Sequence, residues 1–169
     1  MKSLKQVINE KLKLSDVKLN NYKYHPQTKG ELKELLKQLI DERGYEGDFN
    51  DINTSNITDM SELFVNMKYF NGDISKWDVS KVIKMGSIFR GCELFNQPLN
   101  DWNVSKVTSM YMTFDWCKSF NQPLNKWDVS KVKDMSCMFW ECESFNQDIS
   151  NWNVSKVETM GAMFYDCPI

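Results

Sequence analysis

From Ile52 onward the apolar positions return every 25 residues. Trp77, Trp102, Trp127 and Trp152 form one series, and Met60, Met85, Met110, Met135 and Met160 another. Phe64, Phe89, Phe114, Phe139 and Phe164 keep the same step, as do Phe70, Phe95, Phe120 and Phe145. The unit reads W-[DN]-V-S-K-V-x-x-M-x-x-x-F-x-x-C-x-x-F-N-x-x-[IL]-x-x. A divergent first copy has Ile57 for the second Val and Met67 for the Cys. Self-similarity at one fixed period is the mark of a repeat architecture, in which no unit buries its apolar face alone and stacked neighbours bury it together.

Two shorter periods sit inside each unit. Val132, Met135, Phe139 and Cys142 are spaced 3, 4 and 3, as on one face of a short helix. Leu124, Trp127 and Val129 follow the L-x-x-L-x-L spacing of leucine-rich repeats, ending in the alternation of a half-buried strand. The expectation is an α/β repeat solenoid: a leucine-rich-repeat-like stack of about four and a half units over residues 51–169, each a short strand plus a short helix. On that frame the Trp and Phe series are core, and Asn71, Asn96, Asn121 and Asn146 bond free backbone groups of the next turn. Ser80, Ser105, Ser130 and Ser155 follow each strand and fix its turn.

Residues 1–50 lack the repeat and are expected to form an N-terminal helical cap. Thr28 and Glu31 make a T-x-x-E capping box. Leu32, Leu35, Leu36 and Leu39 then line one face, and Gly44 suits the stop. The spacing predicts a helix over about 29–43 that covers the first unit. Leu4, Val7, Ile8 and Leu12 suggest a second helix within 1–20. At the other end no polar closing unit follows residues 152–169, so an end-to-end contact between two copies is expected there.

Charge and cysteine content narrow the function. Net charge is −2, with +2 on residues 1–50 and −4 on the remainder. That argues against nucleic-acid binding through a strong basic field. Cys92, Cys117, Cys142 and Cys167 lie 25 apart without CxxC partners, so they read as buried reduced thiols and not as zinc ligands. Cys137 stands outside the series. His25 is the single histidine, which leaves little room for histidine catalysis or a multi-histidine metal site. No apolar run reaches signal-peptide or membrane-span length, so no membrane insertion and a soluble chain without a visible leader are expected.

The segment FNQDISNWNVSKVETMGAMFYDC (Phe145 to Cys167) and its upstream copies closely resemble the BspA-like leucine-rich-repeat family of bacterial surface proteins, the lipoprotein-type surface repeats. The resemblance implies a right-handed solenoid, often displayed on bacterial surfaces, that binds other proteins or host matrix and has no enzymatic activity. The lipobox cysteine and wall anchor of displayed members have no counterpart in this sequence.

Candidate partner-binding residues fall in two groups. Asp78, Asn103, Asp128 and Asn153 stand between inward positions and form a polar ladder, which is either a solvated face or a recognition surface. Trp116, Trp140, Tyr111 and Tyr165 depart from the consensus at variable positions, where Trp, Tyr and Arg are the usual anchors of interfaces. No P-loop, nucleophile elbow, zinc-protease or dinucleotide motif occurs. Asp48, Asp51 and Asn53 lack the spacing and closing Glu of a calcium loop. No catalytic residue, cofactor or metal is therefore assigned. The expected function is a non-enzymatic protein–protein interaction module for a protein or peptide ligand, with adhesion or host-matrix binding as what the resemblance implies. The alternative is an intracellular structural or self-assembling scaffold.

Overall fold

The computed structural model describes residues 22–168; the apolar positions within 1–20 lie outside them. Helix α1 spans Lys29–Arg43. Thr28 caps it, its Oγ1 accepting from the Glu31 N–H at 3.2 Å, while the Glu31 carboxylate accepts from the Gln27 N–H at 2.7 Å. The side chain thus reaches back one residue further than in the usual capping box. Gly44, at φ 77°, donates to the Ile40 carbonyl and ends the helix. Leu32, Leu36, Leu39 and Ile40 are buried in one core shared with the repeats, and Leu35 packs against it half-buried. At the helix exit Arg43 forks the Asp51 carboxylate at 2.8 and 3.0 Å. That bond holds the Asp51 carboxyl below its ordinary range.

Beyond α1 the chain descends in tiers, each lying on the last with a 25-residue offset. The strand-plus-helix units expected from the sequence do not form. Among the described residues α1 is the only helix, strand-like pairing is confined to isolated parallel bridges, and there is no sheet. The expectation of an α/β, right-handed leucine-rich-repeat-like solenoid is therefore overturned. The tiers are built from consecutive tight turns. Trp127 N–H closes on the Leu124 carbonyl, Val132 on Val129, Met138 on Met135 and Cys142 on Phe139, at 2.9–3.2 Å.

The physical reason lies in φ. Two positions in every tier adopt the left-handed region. One is Glu62, Ser87, Met112, Cys137 and Ala162, at 52–57°. The other is Asn66, Gly91, Trp116, Glu141 and Asp166, at 51–74°. Positive φ at the third residue is what a type II turn requires, and neither helix nor strand accommodates it. Two four-residue turns in succession, 135–138 and 139–142, give the same 3, 4, 3 spacing of apolar side chains as a helix face. Non-glycine residues pay about 1–2 kcal/mol for each such conformation. The left-handed residues recover it by sending their N–H groups to the next tier. Left-handed Met112 and Trp116, with Met110 and Phe114 beside and between them, donate to the carbonyls of Ser136, Trp140, Asp134 and Met138 respectively at 2.8–3.0 Å. Equivalent rungs join the neighbouring tiers.

Between the rungs the core is a set of ladders. Successive rings of the Phe64 series stack at centroid distances of 5.5–5.7 Å, nearly parallel. Rings of the Phe70 series stack at 6.0 Å, and within a tier the two ladders meet at 4.1–4.2 Å. Trp77 stacks on Trp102, and Trp127 on Trp152, at 6.5 Å. Each indole N–H donates to a carbonyl 28 residues earlier, those of Phe49, Ile74, Leu99 and Leu124, at 2.9–3.2 Å. The thiols of Cys92, Cys117 and Cys142 donate at the same offset to Phe64, Phe89 and Phe114. These three thiols are buried, and burial pushes them up, which makes them inert. The asparagine row acts as expected: Asn71, Asn96 and Asn121 accept through Oδ1 from the N–H of Asn96, Asn121 and Asn146 at 2.9–3.0 Å. In the first tier Gly72 replaces the glutamine found later, because a Cβ there would lie 2.3 Å from the Phe49 ring.

The last tier lacks a cover among the described residues. Val154 is 42% and Met160 48% exposed, where their counterparts are at most 1% exposed. The central and terminal tiers are thus expected to differ in energy. Phe114→Ala removes a ring that touches Phe89, Phe120, Phe139 and Trp127 and should cost about 4 kcal/mol. Phe164→Ala, half-buried at the end, should cost less than half as much. Urea unfolding of the two variants checks the difference.

Candidate functional site

The repeat spends most of its polar side chains on itself. Oδ1 of Asp78, Asn103, Asp128 and Asn153 accepts from the N–H of Ser80, Ser105, Ser130 and Ser155 at 2.9–3.2 Å. These are Asx turns. The polar ladder thus fixes the turn that the sequence assigned to the serines. Asn103 and Asp128 flank a hollow of about 250 Å³ floored by Trp102 and Val104, and Lys126 spans it to Asp101 at 2.8 Å. Asp78 and Asn153 lie outside that hollow.

The aromatic candidates sit on the left-handed turns. Tyr111, Trp116 and Tyr165 are 40%, 41% and 57% exposed. Trp140 is half-buried and stacks on Tyr165 at 4.4 Å. Trp116 stands apart from that pair, beside a larger cleft of about 390 Å³ lined by Asn66, Lys68, Arg90, Gly91, Glu93 and Trp116. Gly91 opens it. The equivalent positions carry Asn66, Trp116, Glu141 and Asp166, and a Cβ on Gly91 would lie 2.8 Å from Asn66 Oδ1.

Arg90 and Asp115 occupy the row that continues as Trp140 and Tyr165. The Asp115 carboxylate is almost fully buried and accepts from Arg90 Nε at 3.0 Å. Burial pushes the Asp115 carboxyl above its ordinary range, and the Arg90 charge opposes that shift without cancelling it. The Arg90 guanidinium is half-exposed at the cleft, and its two Nη groups make no hydrogen bond among the described residues. Lys68 pairs with Glu93 at 3.3 Å, and Lys118 lies 5.0 Å over the Trp116 ring while pairing with Glu143. These four belong to one row that alternates Lys, Glu, Lys, Glu every 25 residues. The sequence reading passed over that row, although its alternation in sign was the available signal. Asp115 was also missed as a buried partner, since nothing local marks it. Among the described residues no group of three or more His, Cys, Asp and Glu is placed to hold a metal ion. No helix among them is long and apolar enough to cross a membrane.

The Arg90–Asp115 pair gives a pH-dependent prediction. Arg90→Ala leaves the Asp115 carboxylate buried without its counter-charge. A fully buried pair broken this way costs about 3–5 kcal/mol, and the half-exposure of Arg90 reduces that to about 2 kcal/mol at pH 7. A carboxyl whose folded-state affinity for protons is raised favours folding when protonated. Stability therefore rises as pH falls through its folded value and levels off below the unfolded one. The penalty of Arg90→Ala should shrink accordingly between pH 7 and the ordinary carboxylate range, as read by urea unfolding of both proteins at each pH.

Neither a curated protein nor a solved structure matches the chain. One family model does, over residues 32–125 and again over 84–168, which together take in the helix face and every tier. The chain belongs to the family described as Mycoplasma protein of unknown function, DUF285.

Proposed function

We propose that this protein is a non-enzymatic interaction module that engages a protein partner through the Arg90–Trp116 face. One observation carries the reading. Arg90 and Asp115 are the charged members of a row that elsewhere carries Val65, Trp140 and Tyr165, and Arg90, Gly91 and Trp116 line one cleft with Asp115 bonded to Arg90. A repeat kept only for stability has no use for a buried carboxylate and an exposed indole at adjoining positions. Exposed Trp and Arg in a concave site are the residue types that anchor protein interfaces. The buried, unreactive thiols and the Asx-bound carboxylates favour binding over catalysis. The resemblance to BspA-like surface repeats makes a host-matrix protein the first partner to try.

The test compares capture by the full chain with capture by two double variants. Trp116→Ala with Tyr111→Ala removes the two exposed aromatics of one tier's left-handed turns, and Asn103→Ala with Asp128→Ala alters the Asx ladder. A matrix or lysate protein held by the wild type should be lost by the first at least tenfold and kept by the second. Trp116→Ala should unfold cooperatively with little loss of stability, since its ring lies outside the core cluster and is 41% exposed. Equal capture by both double variants would rule the face out.

A second reading, a self-assembling scaffold, rests on the open last tier. Val154 and Met160 are exposed beside a hollow of about 230 Å³ lined also by Trp152, Met163 and Phe164. Two copies meeting at this face would bury that apolar surface. Sedimentation should then show dimers that dissociate on dilution and vanish in Met160→Glu. A monomer at every concentration would remove this reading.

A further inference from the structure

We propose that the cleft takes an acidic peptide segment, with a Glu or Asp side-chain carboxylate held by the two free Nη groups of Arg90 and the adjoining residue laid against the Trp116 ring. The inference rests on the binding face described above and names its ligand. Arg90 supplies the fork. Its Nε is fixed on Asp115, so the guanidinium is oriented before a ligand arrives, and its Nη1 and Nη2 groups make no other hydrogen bond among the described residues. A planar fork matches a carboxylate with two charge-assisted bonds, and prior orientation lowers the entropy lost on binding.

Trp116 supplies the platform. Its ring is 41% exposed, Lys118 lies over it at 5.0 Å, and its indole N–H makes no hydrogen bond among the described residues.

The remaining charges say which anion fits. Lys68 and Lys118 are already answered by Glu93 and Glu143. The lining therefore has little net charge to offer a polyanion, whereas one carboxylate meets one unsatisfied fork. The backbone donors next to the fork are spent: the N–H groups of Asn66, Arg90, Gly91 and Trp116 bond the carbonyls of Arg90, Ser87, Asp115 and Trp140 at 2.7–3.2 Å. None of these four can join Arg90 in holding a chain terminus, which favours a side-chain carboxylate. Asp115 acts through Arg90 as a positioning residue. A buried carboxylate in that row weakens the fold and is used to aim the guanidinium.

The experiment titrates the ¹⁵N-labelled full chain with acetyl-Ala-Glu-Ala-amide and follows the Trp116 indole N–H signal, assigned with Trp116→Phe. The Glu peptide should shift that signal and bind at least tenfold more tightly than acetyl-Ala-Gln-Ala-amide. Arg90→Lys keeps the charge but loses the fork, and should weaken binding at least tenfold. Asp115→Asn should weaken it at least threefold while the melting temperature stays the same or rises, which a merely structural role would not produce. Four outcomes overturn the proposal: equal binding of the Glu and Gln peptides, no shift at millimolar peptide, equal binding of acetyl-Ala-Ala-Ala with a free terminus, or stronger binding of an oligonucleotide. If Glu and Gln peptides bind alike while partner capture still depends on Trp116, the face stands and the carboxylate preference falls. If capture ignores Trp116 while the Glu peptide is preferred, the interaction-module reading falls instead.

Discussion

Each residue of a tier rests on its own counterpart 25 positions away, so every position must be compatible with itself. That constraint decides which side chains the stack accepts. Phenylalanine satisfies it by stacking face on face, at 5.5–6.0 Å through two adjoining ladders. Asparagine satisfies it as an acceptor, since its Oδ1 in one tier takes the backbone N–H of the asparagine in the next. Tryptophan does so by aiming its N–H at the backbone. Like charges in register repel, so Lys81, Lys106, Lys131 and Lys156 recur only at exposed positions, whereas a second surface row alternates in sign, with Lys68 on Glu93 and Lys118 on Glu143. Asp101 with Lys126 and Lys133 with Glu158 repeat the solution at 2.8 Å.

The same constraint shapes the backbone. Regular strands would stack with the same offset, but the tiers instead curl through two left-handed residues each, whose N–H groups run along the stack. Packing and axial hydrogen bonds together outweigh the conformational penalty. This is why the two positions tolerate Glu, Ser, Met, Cys and Ala at one and Asn, Trp, Glu and Asp at the other. The backbone is fixed by its neighbours above and below, leaving the outward side chain free to vary. Variation at Gly91 and Trp116 is what makes the cleft.

Legibility followed from the same facts. The buried Trp, Phe and Cys rows, the asparagine bonds and α1 with its caps were all readable, because each depends on residue type at a fixed spacing. The secondary structure inside a unit was not. Left-handed turns usually announce themselves by Gly or Asn, and here Met112, Trp116 and Cys137 occupy them. The row of Leu63, Ile88, Met138 and Met163, all buried, escaped notice because Thr113 interrupts it; that hydroxyl donates to the Met110 carbonyl at 2.8 Å. At the site, Trp116 and Tyr111 stood out as departures from the consensus. The part played by Asp115 did not, since a carboxylate one residue before an exposed Trp looks solvated until the fold buries it.

The tryptophan indoles and the buried thiols of Cys92, Cys117 and Cys142 all point one way. Trp127 and Cys142 each bond a carbonyl 28 residues earlier, never later, and the N–H of Asn121 bonds the asparagine one tier before it. A chain emerging from the ribosome N-terminus first would therefore present each new segment with acceptors already in place. The backbone rungs run the other way, as when the Met112 N–H bonds the Ser136 carbonyl, so an emerging tier closes its side-chain bonds onto the tier before it and holds out its main-chain donors to the tier that follows.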